Sequence, residues 1–333
     1  LAADQVQVIG DSGPSCLADE IDALVERLEG THGKDYLGLP TKTLPTFDKY
    51  TLGVRGFNLL AAEPGVGKTS LGVQIGYDIV EKNPHAVFIF FTFEMSRRDI
   101  QHRLLAMISA LHWRTIVLGS PGTSKTFGGS GLAFNIEDTS AFWKAVTVLK
   151  SVGNRVFIYD AESMPETGYE AMLAAVRNAK NKAGVERAFV LVDSLQAMPF
   201  TKPQGTPWSS DVERDNFVIN RMLALQRATG DALLLISEQN KEGLGKSTFK
   251  STRGTARAVY SPDCVFILQR SEHNQPDAEA AESNVNLKII KGRDGTLRGT
   301  IPLTFQHVTC TFSEFDQVAA IPSGQQGFRV TSV

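Results

Sequence analysis

The stretch FNLLAAEPGVGKTSL, residues 57–71, decides how this chain folds. Its first six residues are apolar except for Asn58 and do not alternate, the signature of a strand buried on both faces. The segment AEPGVGKT, residues 62–69, then turns on two glycines and runs into helical spacing over residues 68–82. Strand, glycine-rich loop and helix in that order form the context that a Walker A phosphate loop requires. A turn that merely ended in Lys-Thr would need neither flanking element. Gly65 and Gly67 let the backbone curl until its N–H groups point at phosphate oxygens, and the helix N-terminus adds a favourable dipole. The residues expected to cradle the nucleotide are therefore Glu63, Pro64, Gly65, Val66, Gly67, Lys68, Thr69 and Ser70. Lys68 brings a mobile charge to the β- and γ-phosphates of ATP, and the Thr69 hydroxyl is the expected Mg²⁺ ligand. Ala62 stands where the motif usually begins with Gly, a tolerated variant.

Working outward, apolar runs of strand length recur at residues 86–93, 155–161, 188–193, 232–237 and 263–268. Helical spacing fills most of the intervals, at residues 97–111, 165–183 and 212–229. Alternating strands and helices predict an α/β fold with a doubly wound, mainly parallel sheet. After residue 284 three short runs (286–293, 299–305 and 308–312) lie close together, which predicts a C-terminal antiparallel extension. Upstream, residues 15–30 read as a helix with Leu17, Ile21, Leu24, Val25 and Leu28 on one face, followed by a hinge at 31–36. The chain thus divides into a tail and linker helix (1–36), a core domain (37–316) and a loosely ordered tail (317–333).

Composition narrows the partners. Hydrophobic residues make up 42% and charged residues 21%, as in an ordinary soluble globular protein. No apolar run approaches the ~18–20 residues of a membrane span, so no membrane partner is expected. Cys16, Cys264 and Cys310 are far apart and lack metal-ligand spacing, which points to a reducing, cytoplasmic compartment. The net charge of −2 means that any nucleic-acid contact needs a local basic patch. One exists in the long segment 241–261, where Lys241, Lys246, Lys250, Arg253 and Arg257 lie among Gly, Ser and Thr. A second long loop is expected at 119–130.

Other residues carry chemistry by position. Asp193 ends the buried run AFVLVD, where a Walker B carboxylate would hold Mg²⁺ beside the phosphate loop. Glu94 ends FIFFTFE, and a carboxylate at such a tip needs work or a partner. It is either the base that orients and deprotonates the attacking water or an N-cap or surface carboxylate for the helix starting near Ser96. Glu238 and Gln239 follow an apolar strand, either as sensors of the γ-phosphate or as its solvated end. Lys291 and Arg293 precede the Asp294-Gly295 turn, and are either a solvated hairpin edge or cations that reach a phosphate.

These pieces occur in a familiar order. The chain resembles the C-terminal RecA-like motor domain of DnaB-type replicative helicases, from about residue 17 to 315. The resemblance is carried by LGLPTKTLPTFDKYTLG (37–53), the Walker A segment, FFTFEMSRRDIQHRLL (90–105), FVLVDSLQAM (189–198), ISEQNK (236–241), TRGTARAVYSPDCVFILQR (252–270) and LKIIKGRDGTLRGTIPLTF (287–305). It implies an ATP- and Mg²⁺-dependent homohexameric ring around single-stranded DNA, with each ATP site shared between subunits. It implies that Glu94 is the catalytic glutamate, that Lys291 and Arg293 act in trans, and that Arg253, with Gly254, Thr255, Lys246 and Lys250 around it, meets DNA. It further implies that the helix at 15–30 docks on the adjacent subunit, the alternative being its own core. The setting implied is a bacterial, phage or plasmid replication machinery, with primase as a partner, in trans or fused upstream of Leu1. The sequence departs from the family in three places. The family's primase-binding N-terminal helical domain is missing, which implies that it was removed or that another domain, such as a primase, precedes Leu1. Glu238 stands at the sensor position, where the family usually has Gln or His. The loop reads Arg253-Gly254-Thr255-Ala256, without the acidic residue common after the Arg.

Overall fold

The computed structural model of the chain describes residues 17–118, 140–164, 168–202, 205–239, 258, 260–271 and 281–315. Among them nine strands form one sheet: β1 (Phe57–Ala62), β2 (Ala86–Thr92), β3 (Val156–Tyr159), β4 (Arg187–Asp193), β5 (Ala232–Glu238), β6 (Cys264–Arg270), β7 (Glu282–Lys291), β8 (Gly299–Gln306) and β9 (Thr311–Glu314). Their order is β3-β2-β4-β5-β1-β6-β7-β8-β9. Strands β1 to β6 pair in parallel, and β6 to β9 pair antiparallel. This is the expected mainly parallel sheet with its antiparallel extension.

Helices α1 (Leu17–Thr31), α2 (Pro45–Thr51), α3 (Lys68–Lys82), α4 (Arg97–Ser109), α5 (Trp113–Leu118), α6 (Ser140–Val152), α7 (Tyr169–Ala183) and α8 (Asp211–Thr229) complete the described elements. Alternate strand residues enter two separate cores. Phe88, Phe90, Phe189, Leu191 and Ile236 pack with Leu71, Ile75 and Ile79 of α3. Val87, Ile89, Phe91, Val190 and Val192 pack with Met172 and Val176 of α7 and with Val218 and Met222 of α8. Because both faces are covered, the strands carry apolar residues at most positions, hence their lack of alternation. Helix α3 lies very close to the sheet. A Cβ at Gly76 would fall 2.4 Å from the Phe88 ring, so only glycine admits that approach.

The sequence pattern misses α2, α5 and α6. The first two are short, and α6 carries Val146-Thr147-Val148, a β-branched run with weak helix preference. The last strand begins at Thr311 and not at residue 308, because a turn with Cys310 at φ 58° precedes it. Strand β7 stops at Lys291, so Arg293 lies in the turn beyond it. The apolar stripe of α1 does not pack on the core: Leu17, Ile21, Leu24, Val25 and Leu28 are 40% to 72% exposed. The expected loop at 119–130, residues 241–257 of the one expected at 241–261, and the tail at 317–333 lie outside the described residues.

Candidate nucleotide-binding site

The phosphate loop leaves β1 at Ala62 and enters α3 at Lys68. Gly65 at φ +77° and Gly67 at φ +96° occupy left-handed backbone that side chains avoid. Gly67 is confined on its other side as well. A Cβ there would meet Phe312 at 2.8 Å and Phe305 at 2.9 Å, two rings stacked 4.4 Å apart beneath the loop.

Parallel register brings the expected carboxylates to the same edge. Asp193 pairs with Thr92 at the end of β2, and Glu238 pairs with Ala62 where the phosphate loop starts. Asp193 is fully buried, and its Oδ2 accepts the Thr69 hydroxyl at 2.5 Å. Burial pushes its pKa up to about 6; the Glu94 carboxylate adds to the rise, while the Thr69 hydroxyl, Lys68 and Arg103 oppose it. Its second oxygen, Oδ1, has no hydrogen-bond partner among the described residues. A buried, half-satisfied carboxylate beside a hydroxyl fits a divalent cation, which would supply the missing positive partner. Mg²⁺ commonly takes one or two protein oxygens and completes its shell with phosphate and water. Thr69 and Asp193 are the residues that would hold it.

Glu94 lies two residues beyond β2 and is exposed. Its capping alternative is already filled. Ser96 caps α4 by accepting the Asp99 N–H at 3.2 Å, and Asp99 accepts the Ser96 N–H at 3.3 Å in return. Glu94 instead accepts the hydroxyl proton of Ser194. At the neighbouring strand end, the Gln239 N–H donates to the Ala62 carbonyl at 2.9 Å, so Glu238 and Gln239 stand beside the loop. Gln239 is buried and Glu238 half-buried.

A cavity of about 420 Å³ opens from Gly65–Ser70 toward α4, α5 and the β8–β9 turn. His102, Arg103, Trp113, Phe305 and His307 line it. Arg103 donates to the Ser70 Oγ at 3.0 Å, and the buried His102 Nδ1 has no partner among the described residues. Aromatic walls with a few fixed polar groups suit a ring and a sugar attached to the phosphates. Sequence reading missed these residues. They come from two distant segments, and only the helical spacing of Asp99, His102 and Arg103 hinted at a shared face.

Lys291 and Arg293 are not brought to this edge. Lys291 pairs with Val265 at the start of β6, and the Arg293 N–H donates to the Asp263 carbonyl at 3.1 Å. Asp263 in turn donates its N–H to Phe57, the first residue of β1. The phosphate loop follows the last residue, and at ~3.3 Å per residue the two ends stand ~16 Å apart. The two cations are seated where they are: Lys291 Nζ donates to the carbonyls of Tyr260 at 2.7 Å and Pro262 at 2.5 Å. Arg293 donates to the Tyr260 carbonyl at 2.9 Å and to the Asp263 carboxylate at 3.2 Å. The expected DNA-contacting residues Lys246, Lys250, Arg253, Gly254 and Thr255 lie outside the described residues.

A phosphate loop on the central strand of a mainly parallel sheet, facing a buried aspartate across one strand, defines a P-loop ATPase domain of RecA-like fold. The chain belongs to the DnaB-like helicase C-terminal domain family, whose sequence model matches residues 38–314. It is 23% identical over 287 residues to the replicative DNA helicase DnaB of Geobacillus stearothermophilus, a match covering 84% of this chain and 58% of that one. It is 23% identical over 282 residues to a probable plasmid replicative DNA helicase of Chlamydia psittaci, covering 84% and 56%. The chain therefore spans a little over half the length of these relatives. Among solved structures, the ATPase domain of G40P superposes with a TM-score of 0.73 at 17% identity, covering 91% of this chain and all of that one. A DnaB-like replicative helicase described with its interactions with primase gives 0.71 at 18% identity, covering 90% and 67%. A KaiC-like protein of Pyrococcus horikoshii gives 0.52 at 15%, covering 83% and 98%.

Proposed function

We propose that this chain is the ATP-hydrolysing motor of a DNA helicase, working as a ring of identical subunits on single-stranded DNA. The observation that carries the proposal is the strand-length separation of Lys291 and Arg293 from the phosphate loop of their own chain. One subunit holds the phosphates through residues 63–70, the metal through Thr69 and Asp193, and the attacking water through Glu94. A neighbour supplies Lys291 and Arg293 to the same nucleotide, neutralising charge that builds up on the transferred phosphoryl group. Glu238 and Gln239, beside Ala62, report the presence of the γ-phosphate to the segment that follows them.

The exposed apolar stripe of α1 supports the same assembly. A row of large apolar side chains in water calls for cover, and the adjacent subunit of a ring provides it. Single-stranded DNA passes along the basic segment, where Lys246, Lys250 and Arg253 with the Gly254-Thr255 backbone meet phosphates. Binding then weakens steeply with salt and shows little sequence preference. A primase is the partner expected alongside, and a bacterial, phage or plasmid replication machinery the setting. No helix of the described residues is long and apolar enough to cross a membrane.

Strand displacement on a forked duplex tests the reading, together with the mass of the particle formed with an ATP analogue and single-stranded DNA. A six-fold mass and ATP-dependent displacement are expected. ATP turnover without displacement would favour a recombinase-like or regulatory ATPase.

A further inference from the structure

We propose that Ser194 is a positioning residue for Glu94, holding the exposed carboxylate at the buried end of β4; the inference rests on the reading of Glu94 as the group that activates water. Glu94 sits in an exposed connection between β2 and α4, where a long side chain has many rotamers open to it. Ser194 is fully buried and directly follows Asp193. Its hydroxyl carries one proton, and that proton is given to Glu94 Oε1. The bond therefore ties the water-activating carboxylate to the residue next to the metal-holding carboxylate. Glu94 Oε2 keeps its lone pairs for a water proton.

The post on which the hydroxyl stands is itself fixed from both sides. Phe93 donates its N–H to the Asp193 carbonyl at 2.8 Å, and Leu195 donates its N–H to the Ile236 carbonyl at 2.8 Å. Gln196 bridges onward, donating to the Ser237 Oγ at 3.1 Å and accepting the Glu238 N–H at 3.1 Å. The turn after β4 thus joins the catalytic carboxylate on one side to the Glu238 backbone on the other. A buried serine needs an acceptor for its proton, and a nearby carbonyl would serve stability as well. Here the acceptor is the one side chain that the reaction asks to be held still.

Ser194→Ala removes one oxygen and leaves the packing shape, so the ring should still assemble. Loss of a charge-assisted hydrogen bond that orients a reacting group is expected to lower kcat for ATP about tenfold, with KM within about twofold. Glu94→Gln, with and without Ser194→Ala, is measured beside it on the assembled protein with single-stranded DNA. The second substitution should add nothing once the carboxylate is gone, and the thermal midpoint should stay near wild type. Wild-type kcat in Ser194→Ala with an inactive Glu94→Gln overturns this inference alone. A further loss in the double variant equal to that of Ser194→Ala by itself would show a merely structural role and also overturns it. Wild-type turnover in Glu94→Gln overturns both this inference and the reading beneath it.

Discussion

The two ends of β1 carry opposite chemistry although the strand is six residues long. At the Ala62 end, Lys68 lies near a buried aspartate and its threonine partner, an arrangement that fits phosphate and metal. At the Phe57 end, Arg293 and Asp263 form an ion pair whose side chains are 50% and 32% exposed. Such a half-solvated pair contributes little to stability. What it contributes is direction: with the Tyr260 carbonyl it fixes a guanidinium that would otherwise sweep through solvent. On the proposed reading, one edge grips the phosphates while the other holds Lys291 and Arg293 a strand's length from that loop. On that reading, a site split by the length of a strand within one chain becomes whole only across two chains.

Lys68→Ala should break the first edge most severely, taking ATP turnover to background while the chain stays folded; retention of wild-type turnover would remove the site from this loop. Arg293→Ala should break the other edge, lowering kcat by roughly 10³ or more with nucleotide binding largely kept. Mixing Arg293→Ala subunits with Glu94→Gln subunits then sharpens the comparison, because some interfaces regain one intact half from each partner. No recovery in confirmed mixed rings, at any ratio, would count against a shared site. Asp263→Asn should have a smaller effect, a drop of about threefold in kcat, since Arg293 loses its charged partner but keeps the Tyr260 carbonyl. Equal turnover in that variant would show that the carboxylate does not orient the Arg293 guanidinium.

Much of the Ala62 end was legible in the sequence because it is local. A strand, two glycines and a Lys-Thr pair within thirteen residues define the phosphate loop, and a buried run ending in Asp193 needs only the parallel sheet to reach it. The family order supplied roles for Glu94, Lys291 and Arg293 that residue types left open. What the sequence withheld depends on long-range packing. Phe305 and Phe312 lie under Gly67 through a turn whose end the apolar pattern misplaced, and Arg103 and Trp113 meet the loop from a face that looks like ordinary helix surface. The separation of Arg293 from its own phosphate loop is a matter of register, since only the pairing of Lys291 with Val265 shows which end of the sheet the turn occupies.

Protonation acts most mildly of all on the Ala62 end, through Asp193. Its pKa is raised to about 6 by burial and then by the Glu94 carboxylate, above the ordinary 3.8 that it would recover on unfolding. Between those values the folded chain binds a proton that the unfolded chain does not, so the nucleotide-free protein should gain stability as pH falls through about 6. The gain is lost again as pH rises toward neutrality and the buried carboxylate must ionise without a cation. In Asp193→Asn no such group titrates. Thermal midpoints of the nucleotide-free protein at pH 7.5 and 5.5 should therefore differ by about one degree more in the wild type than in Asp193→Asn. Saturating Mg²⁺ and nucleotide should shrink that difference, because the cation holds the carboxylate ionised at both pH values. Identical pH responses of the two proteins without nucleotide would mean that Asp193 is not the strained acid, and that the Ala62 end is already satisfied before metal arrives.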